Sequence, residues 1–246
     1  NNIAGLEGKA QNLTGREIMK KVYQRDTGND RKSILKMTLV NKYGDKRIRE
    51  IKQFEKDFGQ VEKKIMFFIS PQDVRGTSFM NWSYEDKSGD DQWLYLPALR
   101  KIKRISGENK SNNFMGSDFT YDDMGERKLD EDKHRLLGEK TFKNQECYVV
   151  ESIPREEDYM YSRTITWISK KDWIGLKKEF YDREGNQLKI LNNKEYKKVD
   201  GILTVFKSEM HNVQDDHKTL IELDNVEYNI ELSEDQFTER MMRRGL

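Results

Sequence analysis

Three histidines, His134, His211 and His217, and one cysteine, Cys147, are the scarce reactive side chains of this sequence. A protein zinc site gathers several Cys or His at recognisable spacings, and these four are scattered. The Asp215-Asp216-His217 turn offers neighbouring oxygen and nitrogen ligands to a cation, but its composition is that of an ordinary polar turn. A lone cysteine excludes an internal disulfide and a Cys-based zinc site, and Cys147 falls in a strand pattern. The acidic groups Asp90-Asp91, Asp122-Asp123 and Glu156-Glu157-Asp158 have the residue types for general acid–base work. Each lies in a polar, turn-like stretch that solvation explains. The serine-hydrolase elbow, the phosphate-binding P-loop and the dinucleotide glycine fingerprint are absent. The expectation is therefore a protein with no catalytic residues, metal or cofactor, which is not an enzyme.

Charge narrows the partners. The 45 basic and 44 acidic residues leave a net charge of +1, so no global field attracts nucleic acid or an anionic membrane. The cluster Arg100, Lys101, Lys103, Arg104 and Lys110 beside Trp93 and Tyr95 has the ingredients of single-strand binding, stacking plus positive charge. The balanced total argues against that use. The longest apolar run, Ile65 to Ile69, is far short of the roughly 20 residues that span a bilayer.

Positioning must come from the elements. Thr14 and Glu17 have the spacing of a capping box, which predicts a helix from about Gly15 to Arg25. After the turn-rich 26–30 segment the period becomes two, with Leu35, Met37 and Leu39 on one strand face. Strands are predicted over Arg47 to Glu55, Val61 to Ser70, Phe79 to Glu85 and Asp91 to Leu96, with a turn at Ser88-Gly89-Asp90. Past a charged, Gly-containing loop region they resume at Glu146 to Ile153, Tyr161 to Ser169, Trp173 to Asp182, Gln187 to Lys198, Ile202 to Val213 and Lys218 to Tyr228. Gly185-Asn186 and Asp200-Gly201 suit hairpin turns. A short helix is predicted from Ser233 to Arg243. With 3 prolines in all and no fixed repeat, the expectation is an N-terminal tail at 1–13 and one domain at 14–246. The fold class is mainly β (α+β), a curling antiparallel sheet of about eleven strands whose apolar face needs a cover of helices or ligand.

The most distinctive passage is WLYLPALRKIKRIS at 93–106, followed by FMGSDFTYDDM at 114–124. The pair resembles the outer-membrane lipoprotein-sorting protein family of the LolA-like superfamily, and NWSYED at 81–86 and LSEDQFTERMMRR at 232–244 extend the likeness over most of the chain. The resemblance implies an open half-barrel whose apolar concave face is covered by helices. It implies export to the periplasm with a signal peptide. It further implies a carrier of lipid or a lipoprotein acyl chain, with an inner-membrane transporter of lipids or hydrophobic molecules as partner. Transient membrane contact and a monomeric state are expected, and no nucleic acid. A non-carrying adaptor of such a transporter is the alternative.

The candidate cavity wall is Leu35, Met37, Leu39, Met80, Trp82, Tyr84, Trp93, Tyr95, Trp167, Phe206 and Met210, with the aromatics from Trp82 to Tyr95 near its centre. Each has ordinary core packing as its second reading, because alternation marks burial without naming what lies opposite. Within 114–119, Gly116 permits a tight backbone, Ser117 or Asp118 can cap a turn, and Phe114 and Phe119 can anchor the segment. Receipt of a polar head group by Asp118 or the basic strand is the competing reading.

Overall fold

A computed structural model of the chain describes residues 13–86 and 89–246. The tail expected at 1–13 lies, Leu13 apart, outside the described residues, as does Ser88 of the 88–90 turn. Helix α1 (Gly15–Tyr23) precedes β1 (Asp30–Val40), β2 (Lys46–Asp57), β3 (Val61–Ser70), β4 (Ser78–Tyr84), β5 (Asp91–Leu96) and β6 (Lys101–Ile105). Then come β7 (Asp132–Phe142), β8 (Gln145–Pro154), β9 (Arg163–Ser169), β10 (Gly175–Tyr181), β11 (Gln187–Val199), β12 (Ile202–Asn212), β13 (His217–Tyr228) and helix α2 (Glu239–Arg244). The strands form one antiparallel sheet in which two meanders, β1 to β6 and β7 to β13, join where β1 pairs with β13. β6 and β7 are its free edges, so the barrel is open.

The sheet has 13 strands rather than eleven. The two missed are the edges, and for one reason: β6 buries only Ile105, and β7 alternates mostly half-buried with exposed side chains. Edge strands of this kind carry charge where a central strand carries apolar alternation.

Thr14 caps α1 in the expected reciprocal box, and Ile18 and Met19 pack on Val150 and Ile168. Gly15 is required there, since a β-carbon would lie 2.7 Å from the Arg135 backbone. The C-terminal helix is broken where one continuous helix was expected. A 3-10 turn, Glu234–Gln236, follows Ser233, and α2 starts afresh after its own cap, Thr238. Phe237 at the break is fully buried, edge-on to Phe58 at 5.8 Å, and that anchoring redirects the chain.

Directly paired residues of an antiparallel sheet share a face. Leu35, Ile51 and Phe68 are aligned in this way, as are Met66, Phe79 and Leu94, and across the β1–β13 junction Leu223 and Ile221 continue the same face. Glu55 and Lys64 of β2 and β3 line one cavity with Asn193 and Ser208 of β11 and β12, so the sheet curls toward this face. Because β6 and β7 are opposite edges, the 106–131 connection, here called the strap, has to cross the concavity. Of the cover expected from helices, α1 supplies one end and the strap the middle. Helix α2 packs against β4 on the convex side, where the Ser78 hydroxyl donates to the Met242 carbonyl.

Candidate functional site

The strap is held at its middle by rings and along its length by charge. Phe114 is fully buried, with the rings of Phe79, Tyr121 and Phe68 at 5.0, 5.5 and 6.1 Å. Met115 (φ 49°) and Gly116 (φ 74°) turn the backbone through the left-handed region immediately afterwards, where glycine is the natural residue. The Arg49 guanidinium donates to the Met115 carbonyl.

Asp118 is 4% exposed and committed inside the fold. Its carboxylate accepts from Thr219 Oγ1 at 2.7 Å and meets His217 Nδ1 at 2.8 Å, while its own N–H donates to Thr219 Oγ1. It anchors the strap to β13, which leaves no carboxylate there for a head group. His217, engaged on Asp118, is thereby separated from Asp216, which turns to His211. Among the described residues no three His, Cys, Asp or Glu are arranged to hold a metal ion.

Lys189 of β11 ties the next stretch. Its ammonium donates to the Asp123 carboxylate at 2.6 Å and to the Asp118 carbonyl at 2.9 Å, and it is 3% exposed. Burial opposes ionisation of Asp123, but the Lys189 charge and donors from Lys189 and Thr120 outweigh it and hold the carboxyl below the usual range. Further on, the Glu126 N–H donates to Asp90 Oδ2 at 2.8 Å, an oxygen that also accepts from Ser83 and Asn81. Gly125 allows this approach, because a β-carbon would fall 2.1 Å from that oxygen. Arg127 forks onto Asp132 and lies 3.9 Å from the Tyr159 ring centre.

Among the cavities that open beside the strap, two larger ones share Glu126 in their walls. One, of about 420 Å³, joins Leu35, Phe206, Ile221 and Leu223 to a charged rim of Arg31, Glu55, Glu62 and Lys64. Glu55 bridges Arg31 at 2.5 Å and Lys64 at 3.2 Å. Burial pushes the Glu62 carboxyl up, and the neighbouring Glu126 and Glu55 add to it, taking it to about 8. The other, of about 320 Å³, lies over β7 to β12, walled by Phe119, Tyr159, Tyr161, Phe180, Leu191 and Met210, with Lys178 at its floor.

The candidate wall residues fall on two faces. Leu35, Met37, Leu39, Phe206 and Met210 are on the concave side, although Leu35, Met37 and Leu39 belong to the cluster that includes Phe114 and Tyr121. Met80, Trp82, Trp93 and Tyr95 project to the convex side, where Leu232, Phe237 and Met242 pack with them, and Tyr84, two residues beyond Trp82 in β4, shares that face. Trp167 is convex as well, beside Cys147 and Leu176. The aromatics from Trp82 to Tyr95 are thus not at the centre of the concavity. Alternation groups residues within a strand, but cross-strand register decides which side of the curl each group takes. The concave charges Lys64, Lys178, Lys189 and Glu55 went unread, although Lys and Glu at inward positions of otherwise apolar strands are their signal.

A family model described as an uncharacterized protein matches residues 60–244. A structure named for outer-membrane lipoprotein sorting, from Vibrio parahaemolyticus, is 33% identical, with a TM-score of 0.88 over 94% of this chain and 98% of its own. The chain belongs to the outer-membrane lipoprotein-sorting protein family. A DUF1329 family protein from Desulfovibrio piger is 31% identical, with a TM-score of 0.89 over 93% of this chain and 97% of its own. A LolA superfamily protein from Nitrosomonas europaea shares the fold at 16% identity, with a TM-score of 0.73 over 93% and 99%. The curated proteins contain no match. In this lipoprotein-sorting family member the first four residues of WLYLP lie in β5, with Leu94 concave and Trp93 and Tyr95 convex, and Pro97 opens a 3-10 turn, while FMGSDF is the anchored part of the strap.

Proposed function

We propose that this chain is a periplasmic carrier that binds a lipid, or a lipoprotein acyl chain, on the concave face of its sheet for transfer between envelope membranes. The observation that carries this reading is an open curl whose apolar floor, Leu35, Met37, Leu39 and Ile51, is covered by a connection rather than by a second sheet. The two cavities flanking the strap supply entry points for a chain. Binding is the chemistry of the site, with no bond made or broken. A transporter of lipids in the inner membrane fits as the donor of cargo, and membrane contact as the moment of exchange.

Native mass spectrometry of gently purified protein tests the reading. Copurified lipid, or uptake of an added triacylated lipopeptide or phospholipid, is the expected result. Absence of both would overturn it. A second reading, a non-carrying adaptor of a transporter, is favoured by the filled contact between Phe114 and the β1 to β5 face. Envelope crosslinking to a protein partner that persists without lipid would select it.

A further inference from the structure

From the cavity over β7 to β12 we infer that this chain binds the anionic end of an amphiphile, a carboxylate or phosphate, on the Lys178 ammonium. This deepens the carrier reading and rests on it. Lys178 lies on the concave face of β10, paired across to Leu191 and Thr166, with its ammonium 5.0 Å from the Phe180 ring centre. Among the described residues it makes no hydrogen bond and no ion pair.

The other lysines on this face are satisfied. Lys64 pairs with Glu55 and Lys189 with Asp123. The acids on this wall are also engaged elsewhere: Asp123 by Lys189 and Tyr161, Asp132 by Arg127, Asp122 by Tyr159 and Glu126 by Lys128. Asp123 and Asp132 act on Lys178 only at longer range, and burial lowers its ammonium pKa despite them. A ligand that fills this cavity displaces the water around that charge. A desolvated ammonium without an acceptor is costly, so the ligand must bring an acceptor to that point. The remaining wall, Phe119, Tyr159, Tyr161, Phe180, Leu191 and Met210, suits an apolar continuation. The cavity's 320 Å³ equals about ten waters at ~30 Å³ each, room for a head group and its first methylenes. Glu126 marks where the chain would pass toward the larger cavity.

The test is calorimetric titration of the full chain with laurate, dodecyl phosphate, dodecanol, acetate and inorganic phosphate. Laurate and dodecyl phosphate are expected to bind at least about tenfold more tightly than dodecanol, a difference of about 1.4 kcal/mol. Lys178→Met should abolish that preference, Lys178→Arg should keep it, and Lys171→Met, on an exposed turn, should not alter it. Equal binding of laurate and dodecanol to the wild-type chain would overturn the inference without any variant, as would binding of none of the five. Acetate or phosphate binding as tightly as the chain-bearing anions would also overturn it, in favour of a small-anion site. If lipid copurifies but the anion preference is absent, this inference fails and the carrier reading stands. If the preference is present but no lipid or lipopeptide is taken up, the carrier reading fails instead.

Discussion

Replacing Lys189 with Met keeps the aliphatic stem and removes the charge that holds the strap on β11. The Asp123 carboxylate would keep Tyr161 and the Thr120 N–H but lose its cation, at 3% exposure of the lysine it faced. Removing one partner of a buried ion pair costs about 3–5 kcal/mol. For a chain of this length that is a fall in Tm of roughly 6–20 °C, at about 2–4 °C per kcal/mol. The double variant Lys189→Met/Asp123→Asn carries no stranded charge. Its remaining loss is the donor to the Asp118 carbonyl, about 1 kcal/mol, so adding Asp123→Asn to Lys189→Met should recover about 2–4 kcal/mol. The pH dependence has a definite sign. In the wild-type chain the folded-state Asp123 carboxyl is depressed, so its contribution is present above the unfolded pKa and is lost as pH falls through the folded one. In Lys189→Met burial raises that carboxyl instead, and the deficit should shrink as pH falls toward 4. Urea unfolding of the four chains at pH 7 and pH 4 measures all of this. Additive single effects, or a Lys189→Met deficit independent of pH, would refute the reasoning.

Phe114→Ala should cost about 3–5 kcal/mol by urea unfolding, and hydrogen exchange should quicken across 106–131 more than in β8 to β10, because the ring joins the strap to Phe68 and Phe79. Glu62 has a folded-state pKa raised to about 8, so its contribution is full below the unfolded value and is lost as pH rises through the folded one. Between pH 5 and 9 the wild-type chain should lose about 1–3 kcal/mol, discounted for the water-filled cavity, and Glu62→Gln should flatten that slope in thermal unfolding. Gly125→Ala should cost about 2–4 kcal/mol by displacing Asp90 from Ser83, Asn81 and the Glu126 N–H. A cost equal to that of Gly185→Ala, at an open left-handed turn, would show that the contact is not what matters.

The central strands were legible because their apolar residues alternate and their turns carry Gly and Asn, as at Gly185-Asn186 between β10 and β11. Thr14 and Glu17 were legible for the same kind of reason, since a capping box is contained in four residues. What stayed hidden depends on distance along the chain. Trp82 and Trp93 look like neighbours of Leu35 until register places them on the convex side under Phe237 and Met242, about 150 residues later. The strap was visible as a motif but not as a crossing, because that follows from β6 and β7 being opposite edges. Lys178 could not be singled out from the other lysines, since being unpaired is a property of the assembled cavity.

On the carrier reading proposed above, the strap also sets what cargo would have to supply. An acyl chain meets Leu35 in the cavity it lines, but reaches the floor of Met37 and Leu39 where Phe114, Met115, Tyr121 and Met124 now pack. Burial of a large apolar side chain is worth roughly 1.5–3 kcal/mol. Two of these four are only partly covered, so releasing them forfeits roughly 4–9 kcal/mol of contact. A chain of ten methylenes returns roughly 8 kcal/mol at ~0.8 kcal/mol each. Exchange would therefore be close to balanced, whereas a permanently open apolar floor would hold the chain with the full ~8 kcal/mol, about micromolar, and expose itself to water when empty. On the proposed carrier reading, a connection that competes with cargo for the same floor would serve both uptake and release.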